Sequence, residues 1–134
     1  MLGNNKIVAF LAVRDRDAAR TFYRDTLGLR LIGDDQFAMA FDANGITLRL
    51  ATVKDWTPPQ FTVLGWEVDD IVATVRELRA AGIEFQRYAW MKDQDESGIW
   101  TSPSGPGVAA FHAGARVAWF KDPDGNTLSV AQMP

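Results

Sequence analysis

The chain has 134 residues, 47% of them hydrophobic and 23% charged, with one His and no Cys. That length suits one domain able to bury about two-thirds of its unfolded surface, and the absence of thiols excludes disulfide scaffolds, zinc ribbons, iron–sulfur sites and a Cys nucleophile. A single His excludes a three-His zinc site or an HExxH helix, and a net charge of −3 is a poor footprint for nucleic acid.

The N-terminus, Met1-Leu2-Gly3-Asn4-Asn5-Lys6, lacks the basic stretch of a secretory signal, and no apolar run nears the roughly 20 residues that span a bilayer. The expectation is a soluble, cytoplasmic protein.

Ile7 to Val13 is entirely apolar and β-forming, so a strand covered on both faces is expected. Asp15 or Asp17 then offers an N-cap for a helix over Ala18–Leu27, with Ala19, Phe22, Tyr23 and Thr26 at helical spacing and Gly28 closing it. Strands follow at Leu29–Gly33, Gln36–Phe41 and Ile46–Ala51, the last two joined by an Asn44-Gly45 hairpin signal.

Lys54 to Pro59 cannot continue a strand, and after it the order restarts. Phe61–Val68 reads as a strand, Asp69-Asp70 as a cap, Ile71–Ala81 as a helix and Ile83–Trp90 as a strand. Met91 to Gly107 is irregular, with a short strand around Gly98–Thr101. Arg116–Phe120 and Thr127–Ala131 form a hairpin around Asp122-Pro123-Asp124-Gly125-Asn126.

Two anchors fix an internal repeat. Val13-Arg14-Asp15 recurs 55 residues later as Val68-Asp69-Asp70, and Gly45 to Ala51 recurs 80 residues later as Gly125 to Ala131. The expected organisation is one domain over 1–134: a βαβββ module at 1–53, a linker at 54–60, and a second βαβββ module at 61–134 with a long loop at 91–115.

The residues Val13-Arg14-Asp15, Phe22-Tyr23 with Leu27-Gly28, Val68-Asp69-Asp70, Gly82 and Trp119 to Asn126 resemble the vicinal oxygen chelate superfamily. That superfamily comprises glyoxalase, bleomycin-resistance and ring-cleaving dioxygenase domains. The resemblance implies an α+β fold, with two βαβββ modules whose sheets curl into a cup, helices outside and ligand inside. Metal-using members place ligands on the first and last strand of each module. Carried over, those positions are Val8, Arg49, Val63 and Ser129, none of which binds a divalent metal as the family does. No metal and no cofactor is expected, and the resemblance narrows to the metal-free, antibiotic-binding branch.

Strand alternation would then point Phe10, Ala12, Gly65 and Glu67 into the cup, with Thr47, Arg49, Ala51, Thr127, Ser129 and Ala131. Arg49 and Glu67 read either as an internal ion pair or as ligand contacts: Arg49 a handle for an anionic oxygen, Glu67 an amine contact or base. Tyr88, Trp90 and Trp100 stack on a planar ligand if their face is the inner one, and otherwise cover the helix side. His112 sits in the loop as a surface His or a site residue. The acidic run Met91 to Glu96 lacks calcium-loop alternation and reads as a solvated charge run. Candidate ligand contacts are therefore Phe10, Arg49, Glu67, Tyr88, Trp90, Trp100 and Ser129, and the only catalytic candidates are Glu67 and His112.

The expected function is metal-independent binding of a small organic ligand, aromatic or anionic, by a homodimer that interacts with neither nucleic acid nor membrane. The dimer is expected because open sheets leave edges for a second copy to cover. The alternative is a lyase, isomerase or dioxygenase-like enzyme using Glu67, His112 or a metal site elsewhere. A third is an interaction module whose cup is filled core.

Overall fold

A computed structural model describes residues 1–104, 106–107 and 113–134. Their elements are a short 3-10 turn (Leu2–Asn4), strand β1 (Val8–Val13), helix α1 (Arg16–Arg20) running into a π-helical stretch (Thr21–Thr26), and strands β2 (Arg30–Asp34), β3 (Ala38–Ala43) and β4 (Ile46–Thr52). The order then repeats as β5 (Thr62–Glu67), α2 (Ile71–Ala80), β6 (Trp100–Thr101), β7 (Arg116–Lys121) and β8 (Thr127–Gln132). The chain divides into two compact units, Met1–Pro58 and Pro59–Pro134.

Each unit holds one four-stranded mixed sheet, ordered β1-β4-β3-β2 in the first and β5-β8-β7-β6 in the second. The repeat survives down to the register. Phe10 pairs with Arg49 and Ala12 with Ala51, while at the same offsets Gly65 pairs with Ser129 and Glu67 with Ala131. Before Leu64 the match breaks: Leu64 still faces Leu128, as Ala9 faces Leu48, but Thr62 faces Thr127, so Val63 is an extra residue in a bulge.

In the first unit, alternation buries Leu11, Val13, Met39, Phe41, Leu48 and Leu50 on one face of the sheet. Asp15 caps α1 by accepting from the Ala18 amide at 3.1 Å. The expected α-helix through Leu27 is shorter. After Arg20 the bonds widen to i→i−5, as in Leu27 N–H to the Phe22 carbonyl (2.9 Å). Ala19 and Tyr23 are fully buried, and Tyr23 sits 6.0 Å from the Phe41 ring. Arg16 and Arg20 both clasp Asp34 at the end of β2, with the Arg20 Nε–Oδ2 distance 2.9 Å.

The other face of β1 departs from expectation. Val8 is 46% and Phe10 65% exposed, so only one face of this strand is fully covered. The β3–β4 turn holds Asn44 and Gly45 at φ of 52° and 89°, the two left-handed positions of a two-residue hairpin.

In the second unit, Asp70 caps α2 through the Ala73 amide (3.1 Å), and Ile71 and Val75 turn inward. Phe120 is buried between Phe85, 5.6 Å away, and Trp66, stacked at 6.5 Å. The β7–β8 turn buries polar groups instead of exposing them. Asp122 accepts from the amides of Asp124 and Asn126 and from the Asn126 side chain at 2.8–3.0 Å, and Asn126 is 1% exposed.

The strand expected at Ile83–Trp90 does not form. Phe85 makes a single bridge to Phe120, and the Gln86 amide donates to the Trp119 carbonyl (2.8 Å). The second strand of this module is β6 instead, inside the expected 91–115 loop, pairing Trp100 with Val117. The reason lies in Gln94. Its side chain accepts from the Tyr88 amide (2.8 Å) and donates to the carbonyls of Gln86 (3.1 Å) and Gly98 (2.9 Å). One amide side chain thus satisfies backbone groups that a neighbouring strand would otherwise bind.

Candidate functional site

Opposite the Phe120 face, period-2 alternation lines up one set of side chains on the second sheet. Trp119 pairs with Ser129, Lys121 with Thr127, and Val117 with Ala131. Against this face lies the stretch held by Gln94. A turn closed by the Met91 amide and the Tyr88 carbonyl (2.9 Å) brings Trp90 back over Tyr88, with ring centroids 5.7 Å apart. Tyr88 meets Trp119 edge to face at 5.8 Å, and Trp119 meets Trp100 at 6.2 Å. Four aromatic side chains therefore form one continuous row.

Beside the row is an open cavity of about 610 Å³, walled by Tyr88, Trp90, Met91 and Trp119 and by Phe61 and Thr62 from the start of β5. Gln60, Lys121 and Thr127 complete its lining. Trp90 and Phe61 are 75% and 68% exposed, so large apolar surface faces an open groove. Burial pushes the Tyr88 phenol pKa above its usual value. It therefore stays protonated at neutral pH and can donate a hydrogen bond.

A smaller cavity of about 290 Å³ lies along the same face, lined by Gly65, Trp66, Glu67, Ser129, Ala131 and Met133. Of these, Gly65 brings no side chain to the wall. The repeat places Phe10 at the matching position of the first sheet, where its ring lies 5.9 Å from the Arg49 guanidinium carbon.

The candidate residues are thus distributed as follows. Tyr88 and Trp90 line the larger cavity, and Trp100 backs it through Trp119; Glu67 and Ser129 line the smaller one. Phe10 and Arg49 are neighbours on the exposed face of the first sheet. His112 lies outside the described residues. Trp119, Phe61, Met91 and Lys121 were not among the candidates. For Trp119 a signal was available: counting back symmetrically through the hairpin turn places it opposite Ser129. Of the acidic run, Asp95 binds the backbone amides of Ser97 (2.8 Å) and Ile99 (3.0 Å), a turn-building role.

The family model for the Glyoxalase/Bleomycin resistance protein/Dioxygenase superfamily matches residues 6–130. The chain belongs to that superfamily. Among solved structures of the superfamily fold, a glyoxalase family protein from Enterococcus faecalis is similar at 15% identity and a TM-score of 0.71, covering 98% of this chain and 99% of that one. An antibiotic binding protein, TnmS3 from Streptomyces sp. CB03234, is similar at 22% identity and a TM-score of 0.65, covering 98% of each chain. A bleomycin-binding protein complexed with bleomycin is similar at 21% identity and a TM-score of 0.67, covering 96% of this chain and 98% of that one. No curated protein sequence matches the chain significantly.

The positions to which the resemblance carries the ligands of metal-using members are Val8 on β1, Arg49 on β4, the bulged Val63 and Ser129 on β8. Two alkyl groups, a guanidinium and one hydroxyl do not fit a divalent cation. Among the described residues no three or more His, Cys, Asp or Glu side chains cluster to offer another site.

Proposed function

We propose that the protein binds a small planar organic molecule without a metal, as a member of the ligand-binding branch of its superfamily. The observation that carries this reading is the aromatic row Trp90–Tyr88–Trp119 along an open cavity of about 610 Å³. Cavities of this size with apolar walls and few polar groups suit drug-sized ligands. The chemistry at positions 8, 49, 63 and 129 supports metal independence. Two neighbours described as antibiotic-binding and bleomycin-binding lend further support to a binding role. On the first unit, Arg49 stands exposed beside Phe10, and we assign it as a polar handle for a ligand on that unit's own sheet face. The exposed Val8 and Phe10 favour a homodimer, in which a second copy would cover apolar surface.

The test is a titration of a panel of planar aromatic compounds followed by tryptophan fluorescence and calorimetry. Binding is expected to survive EDTA and to fall about tenfold or more in Trp119→Ala. Affinity that appears only with an added divalent metal would overturn the reading. Light scattering after size exclusion is expected to give twice the chain mass.

A further inference from the structure

The charges around the aromatic groove are one-sided. Among the described residues lining it, Lys121 is the only charged one, and none is a carboxylate. Lys121 closes β7 and pairs across the hairpin with Thr127, on the same face as Trp119. Among the described residues it has no ion-pair partner, and its side chain is exposed, so its charge is not neutralised within the groove. The other polar groups are neutral: Gln60, Thr62, Thr127 and the phenol of Tyr88. This holds although the whole chain is acidic, at −3, so the groove has a sign opposite to that of the molecule.

From this we infer that the ligand of the groove is a planar aromatic anion, its ring against Trp90, Tyr88 and Trp119 and its acidic group at Lys121. The inference rests on the reading of the groove as the binding site. The competing effect is attraction of a cation by the aromatic faces. At an exposed site it is comparable to one surface charge pair, and Lys121 repels the same cation, so the two nearly cancel. For an anion the Lys121 charge is added to ring burial with nothing opposing it. Glu67, the candidate for an amine contact, lines the smaller cavity and not the groove.

Three probes of matched shape test this: 2-naphthoate, 2-naphthalenemethanol and 2-naphthylmethylammonium, titrated into the full-length chain by tryptophan fluorescence. Naphthoate is expected to bind about fivefold more tightly than the alcohol, the size of a screened surface pair, and the ammonium no more tightly than the alcohol. In Lys121→Gln the naphthoate-to-alcohol ratio falls to about one, and in Lys121→Glu it inverts, whereas Arg76→Gln on α2 keeps it. Raising salt lowers the ratio. Equal binding of the three probes, or a ratio unmoved in a folded Lys121→Gln, overturns the charge inference while leaving the groove as the site. Failure of all three to bind overturns the groove reading and this inference with it. Circular dichroism of each variant confirms the fold, and Lys121→Met serves in place of Lys121→Gln if that variant does not fold.

Discussion

Gly65 lies so close to Ser129 across the β5–β8 pair that a Cβ on residue 65 would sit 2.6 Å from the Ser129 hydroxyl oxygen. Its backbone φ is not in the left-handed region, so the demand is for space alone. Gly65→Ala is expected to cost about 1–3 kcal/mol, the usual range for forcing an extra methyl into a packed site. Gly65→Ala combined with Ser129→Ala removes the offending oxygen and leaves only the Ser129 carbonyl at 3.4 Å as a tight neighbour. Urea denaturation of the two single variants and the double should show a favourable coupling. Simple additivity would contradict the steric account.

Gln94 holds the groove wall through three hydrogen bonds. Gln94→Ala should cost about 1–3 kcal/mol by leaving backbone groups of Gln86, Tyr88 and Gly98 without partners. Gln94→Glu should rescue little, because a carboxylate cannot donate to two carbonyls. The near-ultraviolet dichroism of the Tyr88–Trp90 pair is expected to change in both variants, and probe binding to weaken.

Acid should loosen the first unit. Hydrogen bonds from Arg16, and then from Arg20, hold the Asp34 carboxyl below its usual value. Asp35 is lowered by the amides of Phe37 and Ala38, with the Arg49 charge a smaller contribution. A folded-state pKa below the unfolded value of about 3.9 means that the unfolded chain binds more protons. The stabilisation is therefore complete well above that value and is lost as pH falls through it toward the lower folded pKa values. Chemical denaturation from pH 7 to pH 2 should show this decline, and Asp34→Asn should flatten part of it.

The β7–β8 turn should be the most sensitive polar site. Asp122→Ala strips the acceptor from two backbone amides and the Asn126 side chain, all in a buried turn. A loss of about 3 kcal/mol or more is expected from thermal or urea unfolding. Phe41→Ala, which empties the core beside Tyr23, provides a reference at about 3–5 kcal/mol. Asp122→Ala measuring near zero would show that water replaces the lost acceptor.

The parts legible in the sequence are those set by local chemistry or by repetition. The helix starts are legible because an acidic residue in front of an apolar-periodic run caps it, although Asp15 or Asp17 and Asp69-Asp70 read alike until the structure singles out Asp15 and Asp70. The two modules are legible because Gly45–Ala51 and Gly125–Ala131 carry the same register information twice. What escaped depends on distant partners. Ile83 and Phe85 alternate with polar residues as a strand would, but whether a ladder forms there is decided by Gln94, a side chain several residues away. The Val63 bulge breaks an offset that holds from Leu64 onward. Trp119 was hidden by its company: beside the turn motif it reads as part of a signature, although alternation from Ser129 puts it on the groove face. The widening of the first helix at Thr21 has no marker in its residues that we can name.

Because the stretch from Tyr88 to Gln94 is held by the Gln94 amide, a turn and ring contacts and not by a ladder, its length is uncoupled from the sheet behind it. Residues between Tyr88 and Gln94 form no ladder with β7 or β8, so lengthening, shortening or rewriting them leaves every strand register in place. On the proposed binding role, the segment would serve as an exchangeable cassette on a fixed frame, where changes in length would alter ligand preference without moving a strand.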